Sequence, residues 1–256
     1  MTRRPRRLLL VPVVLLTGAC FQGQRVIKVN ADGSGTIVDT LVPGDQLKAM
    51  MAAKGKSDAD ADQKKKREAA AAAFGPGVTF VSEETTPDGL KSAFAFKDIR
   101  TIKVEICPGP GGEKEPGQAS EPPLTFRFAR QGAKSTLTVV QPQPPKPEPS
   151  AETPEGMPDM AAGMWTMMKG MLKGLKLKTV VEVGGAVTRT NSRYAQGPVV
   201  TLLEMDFDQI AADDANFKRF TKAGDDPATL DPKLLQGIKG VKVNPDPEVV
   251  IEFAGK

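Results

Sequence analysis

The chain has 256 residues, 39% of them hydrophobic and 26% charged, with a mean hydropathy of −0.27; these are the proportions of a globular body of one or two domains. Its formal charge of +4 misleads, because Arg3, Arg4, Arg6 and Arg7 precede an apolar leader and setting those four aside leaves 31 basic against 31 acidic residues. A neutral remainder with one Tyr and one Trp lacks the basic stripe and stacking aromatics of a nucleic-acid binder. The absence of His excludes Ser-His-Asp and Cys-His catalysis, ordinary zinc sites and haem ligation by imidazole.

Residues 1–20 read MTRRPRRLLLVPVVLLTGAC. A basic start, an apolar stretch from Leu8 to Leu16 and small residues after it form an export signal, since a helix needs roughly 20 apolar residues to cross a bilayer. The end, Leu16-Thr17-Gly18-Ala19-Cys20, resembles the lipobox of bacterial lipoproteins, with Thr17 where that family usually has Leu. The resemblance implies cleavage before Cys20, a signal peptide over 1–19 and acylation, as with palmitate, of Cys20. Two or three acyl chains anchor durably where one is marginal, each buried CH₂ contributing about 0.8 kcal/mol. An ordinary cleaved signal or an uncleaved anchor is the alternative. Residues 20–256 are then expected outside the cytoplasm as one domain tethered to the cell envelope. Phe21, rather than Asp, after the cysteine favours the outer membrane in a cell that has one.

Val26, Ile27 and Val29 lead into Asn30-Ala31-Asp32-Gly33-Ser34-Gly35, and the apolar pattern resumes from Thr36 to Val42. Asp-Gly and Ser-Gly between two such runs signal a hairpin, because the turn needs the positive φ that glycine supplies. Residues 45–53 are a short helical candidate. Ser57 and Asp60 can form a capping box for a helix running to Ala73, with Gly75 as its stop and acids ahead of Lys64–Arg67 to suit the helix dipole. A second hairpin is expected at Thr86-Pro87-Asp88-Gly89, between VTFVSEET and LKSAFAF.

The stretch TIKVEIC reads as a strand ending at Cys107. With Cys20 acylated no internal disulfide remains, so Cys107 is read as a small buried hydrophobe or an intermolecular partner. Residues 108–123 and 141–158 are proline-rich loops without ladder donors, serving as spacers or as polyproline-type binding segments. Between them a third hairpin joins LTFRFAR to STLTVV across Gln131–Lys134.

Met157, Met160, Met164, Met167 and Met171 recur at spacings of three and four, with Trp165, Met168, Leu172 and Leu175 beside them. At about 100° per residue they share one helical arc, opposite Lys169, Lys173 and Lys176. Such a face is a core helix, the lining of an amphiphile cavity, a membrane-surface helix or a thioether copper site. The face of Met160, Met164, Trp165, Met167, Met168, Met171 and Leu175 is the candidate amphiphile-binding surface.

LKTVVEVGGAVTRTNS and PVVTLLEMDFDQI read as a further strand pair, followed by short helices near 208–222 and 229–238 and a final strand EVVIEFAG. Asp58, Asp60 and Asp62 fail as a calcium loop, because Gln63 and Ala69 stand where glycine and glutamate are needed. Asn30, Asp32 and Ser34 are explained by the hairpin without a metal. Glu204, Asp206 and Asp208 fall on one strand face opposite Leu203, Met205 and Phe207, so a solvated outer face is preferred to a divalent-cation or glycosidic site. No phosphate-binding, nucleophile-elbow or dinucleotide motif is present.

The lipobox followed at once by a strand and a V-N-A-D-G-S-G-T hairpin, and later Val181–Val187 leading to Thr190-Asn191, is similar to the LppM-type bacterial lipoproteins. That family's ectodomain begins with a D-G-S-G hairpin and later carries a V-x-V-x-G-x-V strand. The resemblance implies an α+β ectodomain with helices on an antiparallel sheet, and it transfers no catalytic residue.

The expectation is therefore an α+β fold: a curved antiparallel sheet with helices on one face and long proline-rich loops. The function expected is that of a membrane-anchored, non-catalytic envelope lipoprotein, structural or partner-binding. The alternative is a lipid or amphiphile binder, and an enzyme using Glu204 and Asp206 ranks below both. No cofactor and no metal is expected; the partners are the membrane, through Cys20, and an envelope protein or lipid.

Overall fold

The computed structural model describes residues 21–44, 48, 60–86, 89–106, 122–142, 167, 169–170, 172–223 and 232–255. Cys20, Cys107, Ser57, most of the 45–53 candidate and the greater part of both proline-rich stretches lie outside them. So do Met160, Met164, Trp165, Met168 and Met171.

The three hairpins form where the glycine signals place them. Strand β1 (Phe21–Val29) pairs antiparallel with β2 (Gly35–Pro43), from Phe21 opposite Pro43 to Val29 opposite Gly35. The turn is held by Asp32, whose carboxylate accepts from the Ser34 backbone N–H at 3.0 Å and its hydroxyl at 2.6 Å, while Gly33 takes φ +85°. Helix α1 (Asp60–Ala73) ends at Gly75, whose φ of +122° no side chain tolerates well. Strands β3 (Thr79–Thr85) and β4 (Leu90–Phe96) form the second hairpin, closed by Thr86 and Gly89. Strands β5 (Thr125–Gln131) and β6 (Lys134–Val140) form the third, with Gly132 at φ +61°.

The remaining strands are β7 (Lys176–Val183), β8 (Gly185–Thr190), β9 (Ala195–Gln196), β10 (Val199–Asp206), β11 (Val241–Val243) and β12 (Glu248–Gly255). Among the described residues they build two sheets rather than the one expected. The first runs β11-β10-β7-β1-β2-β4-β3, with β9 on β10; the second runs β5-β6-β12-β8. Pairing is antiparallel except between β1 and β7, which lie parallel from Gln22 opposite Lys176 to Val29 opposite Val183. The fold is thus α+β, built from mixed but mostly antiparallel sheets.

One hydrophobic core joins the two sheets. Ile27, Val29, Ile37, Phe94, Val181 and Leu202 face it from the first sheet, and Phe126, Leu137, Ile251 and Phe253 from the second. Ala71 and Phe74, at the end of α1, enter the same core. The VGGAVTRT stretch does not continue one strand: Gly184-Gly185 carries the chain from β7 in the first sheet to β8 in the second, where β8 pairs with β12. A Cβ on Gly185 would stand 1.7 Å from the Ala254 carbonyl oxygen, so only glycine permits this crossing. Among the described residues, 101–106 of TIKVEIC likewise form no ladder strand. Ile99–Thr101 form a 3₁₀ turn capped by Asp98, and only Val104 makes an isolated bridge, to Leu124.

A second core lies on the same inner side of the first sheet. Leu203 and Met205 pack there with Phe207, Ile210, Phe217, Leu235 and Ile238. The β10–β7 register slips between Thr201 and Leu203, leaving Leu202 as the extra residue of a bulge. That slip lets two consecutive leucines face inward, Leu202 to one core and Leu203 to the other. The second core is roofed by helices α2 (Phe207–Ala211) and α3 (Asp214–Ala223) in place of one helix over 208–222. The expected helix near 229–238 is a series of turns at 232–237.

Candidate functional site

Of the proposed amphiphile-binding face, two residues are described. Met167, in helical backbone, is 66% exposed. Leu175 is half-buried against the second core. The segment carrying them is tied to α2 and α3: the Leu175 carbonyl accepts from the Phe207 N–H at 3.1 Å, and Asp208 accepts from the Gly174 N–H at 2.8 Å. Lys169 ion-pairs with Asp214 and sits 5.1 Å from the centre of the Phe217 ring.

A half-open groove of about 620 Å³ lies elsewhere, between the C-terminal half of α1 and strand β3. Its floor is Ala71, Val78 and Phe80, and its rim carries Lys64, Arg67 and Glu68. Phe80 packs edge-on against Phe94 at 5.9 Å, Phe94 meets Phe74 at 5.0 Å, and Arg67 stands 5.3 Å from the Phe80 ring centre. The rim charges are matched: Arg67 bonds Glu83 at 2.9 Å and Lys64 approaches Glu68 at 3.9 Å. Met167 and Leu175 do not line this groove.

The carboxylate row on β10 is divided. Glu204 pairs with Lys242 at 2.8 Å and Lys178 at 3.1 Å. Burial pushes its carboxyl up, but the hydrogen bonds and charges of the two lysines outweigh this and leave it below its usual range. Asp206 meets Lys176 at 3.1 Å and caps α2, accepting from the Gln209 N–H at 3.2 Å. Burial raises it as well, and its bonds from Gln209 and Lys176 bring it below the usual carboxylate range. Asp208 is not on the strand, which ends at Asp206; it lies in α2. Glu204 is thus committed to two lysines, Asp206 to Lys176 and a helix end, and Asp208 to the Gly174 backbone N–H. Among the described residues no group of three or more Asp, Glu, Cys or His is placed to hold a metal ion.

One polar row escaped the sequence reading. On the inner face Asp39, Arg25 and Thr179 stand side by side on β2, β1 and β7. Arg25 is 7% exposed. It donates to both Asp39 oxygens, at 2.7 and 2.6 Å, and to the Glu105 carbonyl at 2.8 Å, with its guanidinium 5.0 Å from the Phe74 ring centre. The Thr179 hydroxyl donates to the Ile106 carbonyl at 2.5 Å. This row separates the two cores and straps residues 105–106 across the sheet. Its signal was available, since Arg25 has the same strand parity as Ile27 and Val29.

No family model matches the chain, and no curated relative does. A solved structure that it resembles is the NMR structure of the folded domain of the Mycobacterium tuberculosis LppM protein. That likeness covers 95% of each chain at 12% identity, with a TM-score of 0.33. No helix among the described residues is long and apolar enough to cross a membrane.

Proposed function

We propose that this chain is a membrane-anchored envelope lipoprotein, acylated on Cys20, whose α+β ectodomain acts without catalysis as a structural or partner-binding component. The observation that carries the reading is the leader: four arginines, a nine-residue apolar stretch and Leu16-Thr17-Gly18-Ala19-Cys20, directly followed by a strand that begins at Phe21. A stretch that short serves export rather than spanning, and the cysteine supplies the lasting attachment. The ion pairs of Glu204 and Asp206, the helix cap made by Asp206 and the bond Asp208 accepts from the Gly174 N–H favour a structural over a catalytic use of those acids. Phe21 after the cysteine favours the outer membrane in a cell that has one. Replacing Cys20 by Ala should abolish incorporation of radiolabelled palmitate and release the chain from the membrane fraction; retention of both would overturn the reading.

A second reading, binding of a lipid or other amphiphile, has in its favour the exposed Met167 and the groove beside α1, whose volume of about 620 Å³ falls in the range of small-molecule sites. Native mass spectrometry of the protein extracted from membranes separates the two readings. A co-purified lipid supports amphiphile binding, and a bare mass favours the structural role.

A further inference from the structure

We propose that the end of the first sheet at which β1 begins is a membrane-docking surface, so that the ectodomain stands end-on upon the lipid bilayer that holds its acyl chains. The inference rests on the acylation of Cys20 proposed above. Phe21 is already paired in the sheet, opposite Pro43. No linker therefore separates the anchor from the fold, and a single residue spans at most about 3.5 Å. Acyl chains inserted in the hydrocarbon must hold this end of the sheet at the level of the headgroups.

The side chains gathered there suit that level. Register places the start of β7 and the end of β2 beside Phe21, with Leu41 opposite Leu90 on β4. Phe21, Leu41, Val42 and Leu90 are all only half-buried. The chain enters β7 through Leu175 from the segment bearing the exposed Met167, and that segment is held beside the end of β10 by the bonds of Gly174 to Asp208 and Lys169 to Asp214. Exposed Lys48 and Lys173 flank it, with stems that lie along apolar surface while their ammonium groups reach lipid phosphates. At the opposite end the turns are polar: Asn30, Asp32 and Ser34 at the first hairpin, and the Asp98–Arg100 pair nearby. Exposed lysine occurs there too, at Lys97, and half-buried Phe128 lies against Gly33, so it is the attachment at Cys20 together with the exposed Met167 that distinguishes the anchored end.

The heights differ measurably. From Gln22, opposite Lys176, to Val29, opposite Gly35, β1 rises by seven residues, about 23 Å at about 3.3 Å each. The test uses the full chain in a Cys107→Ser background, purified with its acyl groups, verified by intact mass and reconstituted into phosphatidylcholine–phosphatidylglycerol vesicles. A fluorophore is placed on Lys173→Cys or on Lys97→Cys, and lipids carrying a nitroxide on the headgroup are added. Emission at position 173 should fall several-fold while that at 97 stays nearly unchanged. Equal quenching of both, as for a domain lying flat, or quenching of neither, as for one floating free, overturns end-on docking and leaves the lipoprotein reading standing. A chain found unacylated at Cys20 overturns both.

Discussion

Arg25 and Asp39 face each other across the β1–β2 pair in a two-pronged ion pair, with Nε–Oδ1 and Nη2–Oδ2 distances of 2.7 and 2.6 Å. The guanidinium is almost wholly removed from water, and its remaining reach goes to the Glu105 carbonyl and the Phe74 ring. A paired charge at such a site is tolerated because every donor direction in use meets an acceptor. Left alone, it would face a low-dielectric surround with nothing to offset its lost hydration.

Removing the partner should therefore be worse than removing the pair. Asp39→Ala is expected to destabilise the fold by about 3 kcal/mol, whereas Arg25→Met combined with Asp39→Leu should lose clearly less. The Asp39 side chain keeps 27% of its exposure, which holds the figure at the lower end of the range for buried pairs. Urea midpoints of the single and double variants decide it; a double variant as unstable as Asp39→Ala would show that packing, not charge, dominates this row.

The crossing between the sheets makes a sharper prediction. At Gly185 the obstacle to a Cβ is backbone, the Ala254 carbonyl oxygen at 1.7 Å, which cannot move without parting β8 from β12. Gly185→Ala should cost about 3 kcal/mol and expose β8 amides to hydrogen exchange. Gly132 is the contrast: a Cβ there meets nothing within 4 Å, although φ is +61°. Gly132→Ala should cost about 1 kcal/mol, the strain of the left-handed conformation alone. Equal losses at the two sites would deny the steric account.

Features whose cause is local were legible in the sequence. The three hairpins announce themselves through Gly33, Gly89 and Gly132, the stop of α1 through Gly75, and the last strand through the alternation of Val249, Ile251 and Phe253. What stayed hidden depends on partners far along the chain. Nothing near Val26 marks β7 as its parallel neighbour, because Val180 lies more than 150 residues away. The apolar text TIKVEIC reads as a strand, yet Thr101 closes a 3₁₀ turn begun at Ile99, whose N–H bonds the Gly33 carbonyl at 2.9 Å, and Val104 makes an isolated bridge to Leu124. The alternation that sets Glu204 and Asp206 opposite the core-facing Leu203 and Met205 holds as far as Asp206. It fails at Asp208 because Asp206 caps a helix there.

Glu204 gives the fold a pH dependence whose sign follows from its environment. Its carboxyl titrates below the usual range in the folded chain because Lys242 and Lys178 hold the charged form against the opposing effect of burial. The unfolded chain then binds more protons at acid pH, so this contribution is present above the ordinary glutamate pKa of about 4.3 and is lost as pH falls through the lower folded value. Asp206, shifted in the same direction, adds to it over a slightly more acid window. Denaturation midpoints should fall between about pH 5 and about pH 3, and the gap between wild type and Glu204→Gln should close over the same interval. A gap that is constant with pH would mean that the two lysines do not stabilise the ionised form.

Asn216 closes the second core and should report on it locally. Its side-chain amide donates to the Ile210 and Lys239 carbonyls at 3.1 and 3.0 Å, and its oxygen accepts from the Lys239 N–H at 2.9 Å. One buried side chain thus joins α2, α3 and the turn entering β11. Asn216→Ala strands these backbone groups without partners and should cost about 2 kcal/mol. Because the first core packs between the two sheets without this residue, protection against hydrogen exchange should drop at Lys239–Val243 and in α3 while Ile27, Leu137 and Ile251 keep theirs. Uniform loss of protection would instead show that both cores open as one unit, making the division at the Arg25 row structural but not cooperative.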